Sequence, residues 1–365
     1  MKALAGWVLA LCAAQVWGAG EPRMEWELKL AALAHEPARA AADVLALRFS
    51  PDGKWIAAVT SQITSEGDRS EVVLIPASGE AAVVRRLRFE GGIESTAQNP
   101  GIHWSPASDA LAVATRNGIV SLVRLEGGER CALPRNSSFG GFLDAGLVLA
   151  ADYQLPKDPA SIPLDTSSLT VYGPDCAARE TWKVRGRVRG VELSAAAGLI
   201  ALGFENAEIR LLRRSADLEV AHVPERSAAM LRFGEKGTVL CKADADSRGA
   251  LACYELASGQ KFANGEIGGG APFDVSLDNS IVLASDGTYG VEPMGGNERH
   301  GLRSWIVWDY RAGRELARLK YKPQRHAYAV SPVAMSPDGT RFAVGVRGAI
   351  RVYELPDRSL TVAAQ

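Results

Sequence analysis

The chain has 365 residues, of which 47% are hydrophobic and 23% charged, and its formal net charge is −1. This is ordinary globular composition, with enough apolar residues for a large core. The near-neutral charge and an aromatic content of 7% argue against a nucleic-acid binder. Phosphate backbones attract strongly basic surfaces, and unpaired bases stack on exposed aromatic rings. We therefore expect no nucleic-acid partner.

The first twenty residues have the pattern of an export signal. Lys2 supplies a positive start, residues 3–17 form an apolar stretch, and Gly18 and Gly20 supply small residues for a cleavage site. The apolar stretch is too short to cross a bilayer comfortably, and no later segment is apolar for long enough. We predict a signal peptide over residues 1–20 and a secreted or periplasmic mature chain without a membrane span. An uncleaved membrane anchor is the alternative.

Two hairpins far apart in the chain share one pattern. Residues 46–59 and residues 333–346 each have a short apolar strand, a Ser-Pro-Asp-Gly turn and a second apolar strand. Proline presets the first central position of such a turn, aspartate accepts hydrogen bonds from the backbone beside it, and glycine adopts the closing conformation. Two matching hairpins nearly a chain length apart indicate an internal repeat.

Weaker copies of the hairpin fill the interval, each followed by a third strand and, in most units, a tight turn and a more polar fourth strand. The third-strand segments are 71–75, 120–124, 169–172, 208–212, 251–255, 305–309 and 350–354. Four short strands per unit, at a spacing of roughly 45 residues, are typical of propeller blades. The sequence therefore predicts an all-β fold, a β-propeller of about seven four-stranded antiparallel blades, as a single domain over residues 21–365.

A closed ring needs one terminus to complete its last blade, because an open end would leave an unpaired strand edge. Residues 26–30 precede the first unit as residues 314–318 precede the last one. We predict that residues 26–30 supply the outer strand of the final blade. Residues 359–363 are a competing candidate of similar weight.

The third strand of the sixth unit carries the residues that point to a family. The segment from Val307 through Trp308, Asp309 and Tyr310 resembles the WD-repeat signature, and residues 352–355 match it more weakly. The first unit is closer to TolB-type propeller repeats. The chain thus resembles a divergent, exported member of the WD-repeat or TolB-like propellers. It lacks the Gly-His dipeptide of standard WD repeats, so the usual polar lock within each blade cannot form in its usual way.

The predicted connections between strands are unequal in length. First-to-second and third-to-fourth connections are tight nearly everywhere, whereas long second-to-third or fourth-to-first connections are predicted at 60–70, 90–100, 152–168, 285–304 and 320–331. In an antiparallel blade these two long classes emerge on the same face of the disc, and binding residues tend to lie on loops held by a rigid scaffold. The candidate partner-binding residues on this face are Tyr153, Tyr289, Arg299, His300, Arg325 and His326.

The sequence contains no recognisable catalytic, metal or cofactor motif. The histidines show neither HxxxH nor HExxH spacing, and no G-x-S-x-G elbow or phosphate-binding loop is present. We therefore expect a binding scaffold for a protein or peptide of the cell envelope or extracellular space. The alternative is a propeller enzyme or small-molecule sensor, such as a lactonase-like hydrolase, at the mouth of the central channel. Converging carboxylates or histidines in that channel would favour the alternative.

Four cysteines follow the predicted signal peptide: Cys131, Cys176, Cys241 and Cys253. Aligned with the last unit, Cys241 and Cys253 occupy the positions of Ala343 and Val352. Those two positions face each other if Arg347 and the next residue form a two-residue turn, so we predict a Cys241–Cys253 disulfide. The two earlier cysteines could link adjacent blades, without a comparable register argument. Buried free thiols are the alternative for all four.

Overall fold

The computed structural model describes most of the predicted strands. The described ranges are 22–30, 43–64, 67–80, 84–89, 92–94, 101–128, 130–133, 137–144, 148–152, 166–204, 208–213, 219–223, 230–243, 250–268, 273–286, 303–321, 332–346 and 348–356. Within these ranges the strands form seven antiparallel sheets of four. The prediction of an all-β, seven-bladed propeller is confirmed. No described segment forms a helix long and apolar enough to cross a membrane.

The strands are numbered along the chain and grouped here by blade. Blade 1 holds β2 (Asp43–Phe49), β3 (Trp55–Thr64), β4 (Gly67–Pro76) and β5 (Arg85–Arg88); blade 2 holds β6 (Ile102–Trp104), β7 (Ala110–Ala114), β8 (Val120–Arg124) and β9 (Arg130–Ala132). Blade 3 holds β10 (Ser137–Phe142), β11 (Val148–Asp152), β12 (Thr166–Tyr172) and β13 (Ala178–Arg185); blade 4 holds β14 (Val188–Ser194), β15 (Leu199–Phe204), β16 (Ile209–Arg213) and β17 (Glu219–Val223). Blade 5 holds β18 (Met230–Gly234), β19 (Val239–Ala243), β20 (Ala250–Glu255) and β21 (Lys261–Gly268); blade 6 holds β22 (Phe273–Val275), β23 (Ile281–Asp286), β24 (Arg303–Asp309) and β25 (Arg314–Tyr321). Blade 7 holds β26 (Val333–Met335), β27 (Arg341–Val346), β28 (Ala349–Glu354) and β1 (Arg23–Lys29).

The core consists of apolar layers between neighbouring blades. One layer joins Val59 and Leu74 of blade 1 to Ile102, Leu111 and Val113 of blade 2, all of them fully buried or nearly so. Because each blade is covered on both sides, its middle strands are apolar at successive residues rather than at alternate ones. Four successive apolar residues of β7, from Leu111 to Ala114, are buried for this reason.

The two Ser-Pro-Asp-Gly turns have the same hydrogen bonds. In blade 1, Ser50 Oγ donates to Asp52 Oδ1 at 2.6 Å and accepts from the Trp55 backbone N–H at 2.9 Å. In blade 7, Ser336 Oγ donates to Asp338 Oδ1 at 2.6 Å and accepts from the backbone N–H of residue 341 at 2.9 Å. The buried serine therefore ties the turn to the start of the second strand in both blades.

The N-terminal strand closes the ring. β1 pairs antiparallel with β28, and Trp26 lies opposite Val352. The Trp26 indole also donates to the Ala77 carbonyl of blade 1 at 3.2 Å. The structure thus selects the first of the two closure candidates, with the strand beginning at Arg23, and the competing segment 359–363 lies outside the described residues.

The prediction of a long loop at residues 60–70 is wrong, because most of this segment forms paired strands. β3 continues to Thr64 and β4 starts at Gly67, with cross-strand pairing from Thr60 opposite Glu71 to Thr64 opposite Gly67. The polar composition of this segment predicts a loop. A polar hairpin that extends beyond the core nevertheless keeps its backbone hydrogen bonds, because pairing does not require apolar side chains.

Two disulfides brace the ring. Cys241 and Cys253 lie opposite each other on β19 and β20 and are joined, with their Cα atoms 3.9 Å apart. This is the pair that the register argument predicts. Cys131 on β9 is joined to Cys176, in the turn after β12, with a Cα–Cα distance of 5.9 Å. The second disulfide therefore links blade 2 to blade 3 covalently.

Candidate functional site

The first strand of each blade faces the central channel, and these seven strands carry equivalent positions in register. The residues at this position are Arg48, His103, Gly141, Glu192, Arg232, Asp274 and Ala334. Five of the seven are charged or titratable. We call Arg48, His103, Glu192, Arg232 and Asp274 the central charge cluster.

Ion pairs of the cluster reach across the channel. Arg48 Nη1 of blade 1 donates to Asp274 Oδ1 of blade 6 at 2.9 Å, although blade 7 lies between these two blades. Arg232 Nε lies 3.5 Å from the same Asp274 oxygen. Arg232 Nη1 donates to Glu192 Oε2 at 3.3 Å and to the Leu231 carbonyl at 2.7 Å. The other Asp274 oxygen accepts the Met335 backbone N–H at 3.0 Å. Side chains and backbone of five blades thus converge on one point.

Local sequence explains how charged groups reach this point. Leu47 and Phe49 flank Arg48, Leu231 and Phe233 flank Arg232, and all four are buried among apolar neighbours. Because side chains alternate along a strand, the apolar neighbours enter the core between blades while the residue between them faces the channel. An apolar–charged–apolar triplet at one place in the repeat is the signal that could have identified this cluster from the sequence, and it was missed.

Burial controls the protonation of the cluster. Removal from water raises the pKa of the Glu192 carboxyl, against the opposing effect of the Arg232 and Arg48 charges. Burial, and then the charges of Arg48 and Arg232, hold the pKa of His103 well below its ordinary value. Burial and Arg48 also lower the pKa of Arg232 to about 10. At neutral pH the histidine is therefore uncharged and the Arg232 guanidinium is protonated.

A second set of contacts locks blade 5 to blade 6 on the opposite side from the long connections. The buried Tyr310 hydroxyl donates to Glu235 Oε1 at 3.0 Å, and Arg311 donates to both oxygens of Glu235 at 2.6 Å. Arg311 Nη2 also donates to Glu255 Oε1 at 3.0 Å. The Asp309 carboxylate accepts the Ser280 hydroxyl at 2.7 Å. These contacts tie the WD-like segment to its neighbours without a Gly-His dipeptide.

The six candidate partner-binding residues lie outside the described residues. They are Tyr153, Tyr289, Arg299, His300, Arg325 and His326. The described strands that precede these segments in the chain end at Asp152 (β11), Asp286 (β23) and Tyr321 (β25). In antiparallel blades these three ends point to the same face of the disc.

Comparison with protein-family models and with curated proteins finds no match for this chain. Within the described residues, no group of three or more His, Cys, Asp or Glu side chains could hold a metal ion. The propeller architecture is therefore established by the structure, while the family resemblance depends on the motifs in the sequence.

Proposed function

We propose that this protein is an exported, divergent WD-repeat or TolB-like propeller that binds a protein or peptide partner through one face. The observation that carries the proposal is the distribution of its strand connections. The connections 30–42, 89–101, 153–165, 287–302 and 322–332 all leave strand ends on one face, here called the loop-rich face. The opposite, tight-turn face has short connections such as 50–54, 105–109, 195–198, 276–280 and 336–340, the longest being 77–84.

Hydrogen bonds between successive turns support this division of roles. On the tight-turn face, the Asp52 backbone N–H donates to Ser108 Oγ at 3.0 Å, which joins blades 1 and 2. The Lys236 backbone N–H donates to the Leu277 carbonyl at 2.7 Å, and Ser276 Oγ donates to the Pro337 carbonyl at 2.8 Å. The turns of this face satisfy one another, which favours a supporting role for it and a binding role for the other face.

Export is part of the proposal because both disulfides need an oxidising compartment. Disulfides persist in the periplasm and outside the cell, whereas cytosolic thiols are kept reduced. The signal-peptide pattern of residues 1–20 agrees with this compartment, although those residues lie outside the described ranges. The expected partner is accordingly a protein or peptide of the cell envelope or extracellular space.

The rival function, a hydrolase or small-molecule sensor at the channel mouth, draws support from the convergence of Glu192, Asp274 and His103. Asp274, however, lies between two arginines and also accepts a backbone N–H. Both oxygens of this carboxylate are therefore committed to contacts that hold blades 1, 5, 6 and 7 together. The arrangement favours binding and ring closure over proton transfer, so the scaffold remains the proposed function.

Capture from the native envelope by the immobilised mature chain tests the proposal. The combined substitution Tyr289→Ala, Arg299→Ala and Arg325→Ala on the loop-rich face should reduce capture at least about tenfold, as expected for loss of interface anchors. A matched triple variant of the tight-turn face, Lys54→Ala, Glu126→Ala and Gln260→Ala, replaces three exposed side chains and should capture normally. Equal capture by the two variants would contradict the proposal.

A further inference from the structure

The arginines of the central charge cluster have more hydrogen-bond donors than the described residues use. Within that part of the chain, Arg48 donates only from Nη1, to Asp274. Among the described residues, Arg232 donates only from Nη1, and its buried Nε finds no hydrogen-bond partner. The Arg232 side chain is 9% exposed and that of Arg48 is 14% exposed. Guanidinium donors at this depth are costly to leave unsatisfied, so the channel needs an acceptor that these residues do not supply.

The two guanidiniums are positioned to share that acceptor. Both approach Asp274 Oδ1, at 2.9 Å from Arg48 Nη1 and 3.5 Å from Arg232 Nε. Asp274 therefore holds the two guanidiniums beside a single oxygen atom, and each of them has N–H groups that make no hydrogen bond to the described residues. Planar guanidinium groups match the two oxygens of a carboxylate in a paired arrangement.

The net charge of the cluster determines which ligand charge would neutralise it. Arg48 and Arg232 are opposed by Asp274 and by Glu192, and the Glu192 carboxyl is the one that burial disfavours as an anion. In the state in which Glu192 is protonated, which its raised pKa favours, the cluster carries one uncompensated positive charge. A monovalent anion neutralises it, whereas divalent sulfate would leave a buried negative charge at high cost.

We propose that the central charge cluster is a binding site for a small monocarboxylate, held in the channel by Arg48 and Arg232 with Asp274 between them. This site is separate from the loop-rich face, so its failure leaves the proposed scaffold function untouched. It makes the propeller a receptor for a small organic acid in addition to its protein or peptide partner.

Binding should depend on pH through Glu192. The groups that face the site are Arg48 on β2, His103 on β6, Glu192 on β14, Arg232 on β18 and Asp274 on β22, while β10 and β26 contribute uncharged residues at this position. Below the raised pKa of Glu192, the carboxyl is neutral and the site attracts an anion. As pH rises through that pKa, Glu192 becomes a competing anion and affinity falls.

The test uses ¹³C-labelled acetate with the mature chain, residues 21–365, and follows the acetate line width by NMR at constant ionic strength. Acetate should bind more tightly than chloride or sulfate, and its affinity should fall as pH is raised through the pKa of Glu192. Glu192→Gln copies the protonated carboxyl, so it should bind acetate about tenfold more tightly at pH 8. A tenfold gain is expected if bound acetate shifts the pKa of Glu192 by about one unit. Its affinity should also vary little with pH.

The arginine variants and a control complete the test. Arg48→Gln and Arg232→Gln should each weaken acetate binding at least about tenfold, through loss of a charge-assisted hydrogen bond. Arg124→Gln, at an exposed strand end away from the channel, should bind acetate as the unmodified chain does. The gain in Glu192→Gln cannot arise from misfolding, so it decides the question even if the arginine variants fold poorly. Unchanged acetate affinity in Glu192→Gln, or tighter binding of sulfate than of acetate, would overturn the proposal.

Discussion

His103 shares the central channel with two arginines, and its imidazole is therefore costly to protonate. Burial is the main cause of its lowered pKa, and the positive charges of Arg48 and Arg232 add to it. In the unfolded chain the same histidine has an ordinary pKa of about 6.5. Between the lowered pKa and 6.5, the unfolded chain binds a proton that the folded chain does not. Stability is therefore fully present above the ordinary pKa and is lost as pH falls below it.

We predict that the free energy of unfolding decreases by up to about 1.4 kcal/mol for each pH unit below 6.5 on account of His103. His103→Asn removes the titrating group, so its urea-unfolding curves at pH 7.5, 6.5 and 5.5 should change less with pH than those of the unmodified chain. Measurements stay above pH 5 because Asp52 and Asp338, whose pKa values are lowered, lose stabilising charge in more acidic solution. Parallel pH profiles for the two proteins would show that His103 makes no such contribution.

At the scale of strands and turns, the two disulfides differ in exposure. Cys241 and Cys253 are completely buried on adjacent strands in the interior of blade 5. Cys131 and Cys176 are only partly buried and lie at the seam of blades 2 and 3, where they pack against the edge of an apolar cluster. A reductant in solution must reach a sulfur atom to attack it, so exposure decides which bond reacts in the folded protein.

Mild reduction should therefore open Cys131–Cys176 before Cys241–Cys253. Alkylation of free thiols at increasing times, followed by peptide mass spectrometry, reports the order. We expect labelling of Cys131 and Cys176 at least about tenfold faster, because the buried pair becomes accessible only when blade 5 opens. The double variant Cys131→Ser with Cys176→Ser is the control and should show only the slow phase. Simultaneous labelling of all four cysteines would argue for global opening instead.

The sequence predicted elements well where local rules decide the structure and poorly where distant residues meet. Turn chemistry located the hairpins around Ser50 and Ser336, because serine, proline, aspartate and glycine act within a few positions of each other. The Cys241–Cys253 register followed from the same repeat. The polar composition of the β3–β4 hairpin predicts a loop, because composition alone does not report strand pairing.

The central charge cluster could not be assembled from local rules. Arg48 and Asp274 are separated by 226 positions in the chain and meet only because the ring closes. Each apolar–charged–apolar triplet lies in a different strand, and only the alignment of all seven inner strands shows that the charged residues lie at the same level of the channel. The candidate residues on the loop-rich face were proposed from loop length, which indicates where a partner could bind without identifying the contacts.

The closure of the whole ring depends on the pairing of its first strand with its last one. Without β1, the edge of β28 would be open, and open strand edges pair with other chains. β1 also contributes Leu28, which is buried, and Trp26, which packs against the same core cluster. The Arg351 Nε atom of β28 lies 2.5 Å from Glu27 Oε2 of β1, which forms an ion pair between the two strands. Burial of the leucine side chain alone is worth about 2 kcal/mol, so loss of the strand should affect the stability of the entire disc.

We predict that a chain beginning at residue 31 unfolds at a lower temperature than the chain beginning at residue 21 and associates through the exposed edge of β28. Circular dichroism and size-exclusion chromatography measure the two effects. A synthetic peptide of residues 22–30 should restore both properties when added in excess, because it can pair with β28 as β1 does. The same peptide with Trp26→Ala and Leu28→Ala keeps the backbone but loses the apolar contacts, so it should restore neither. Equal unfolding temperatures and a monomeric truncated chain would mean that six complete blades and a three-stranded seventh suffice to hold the ring closed.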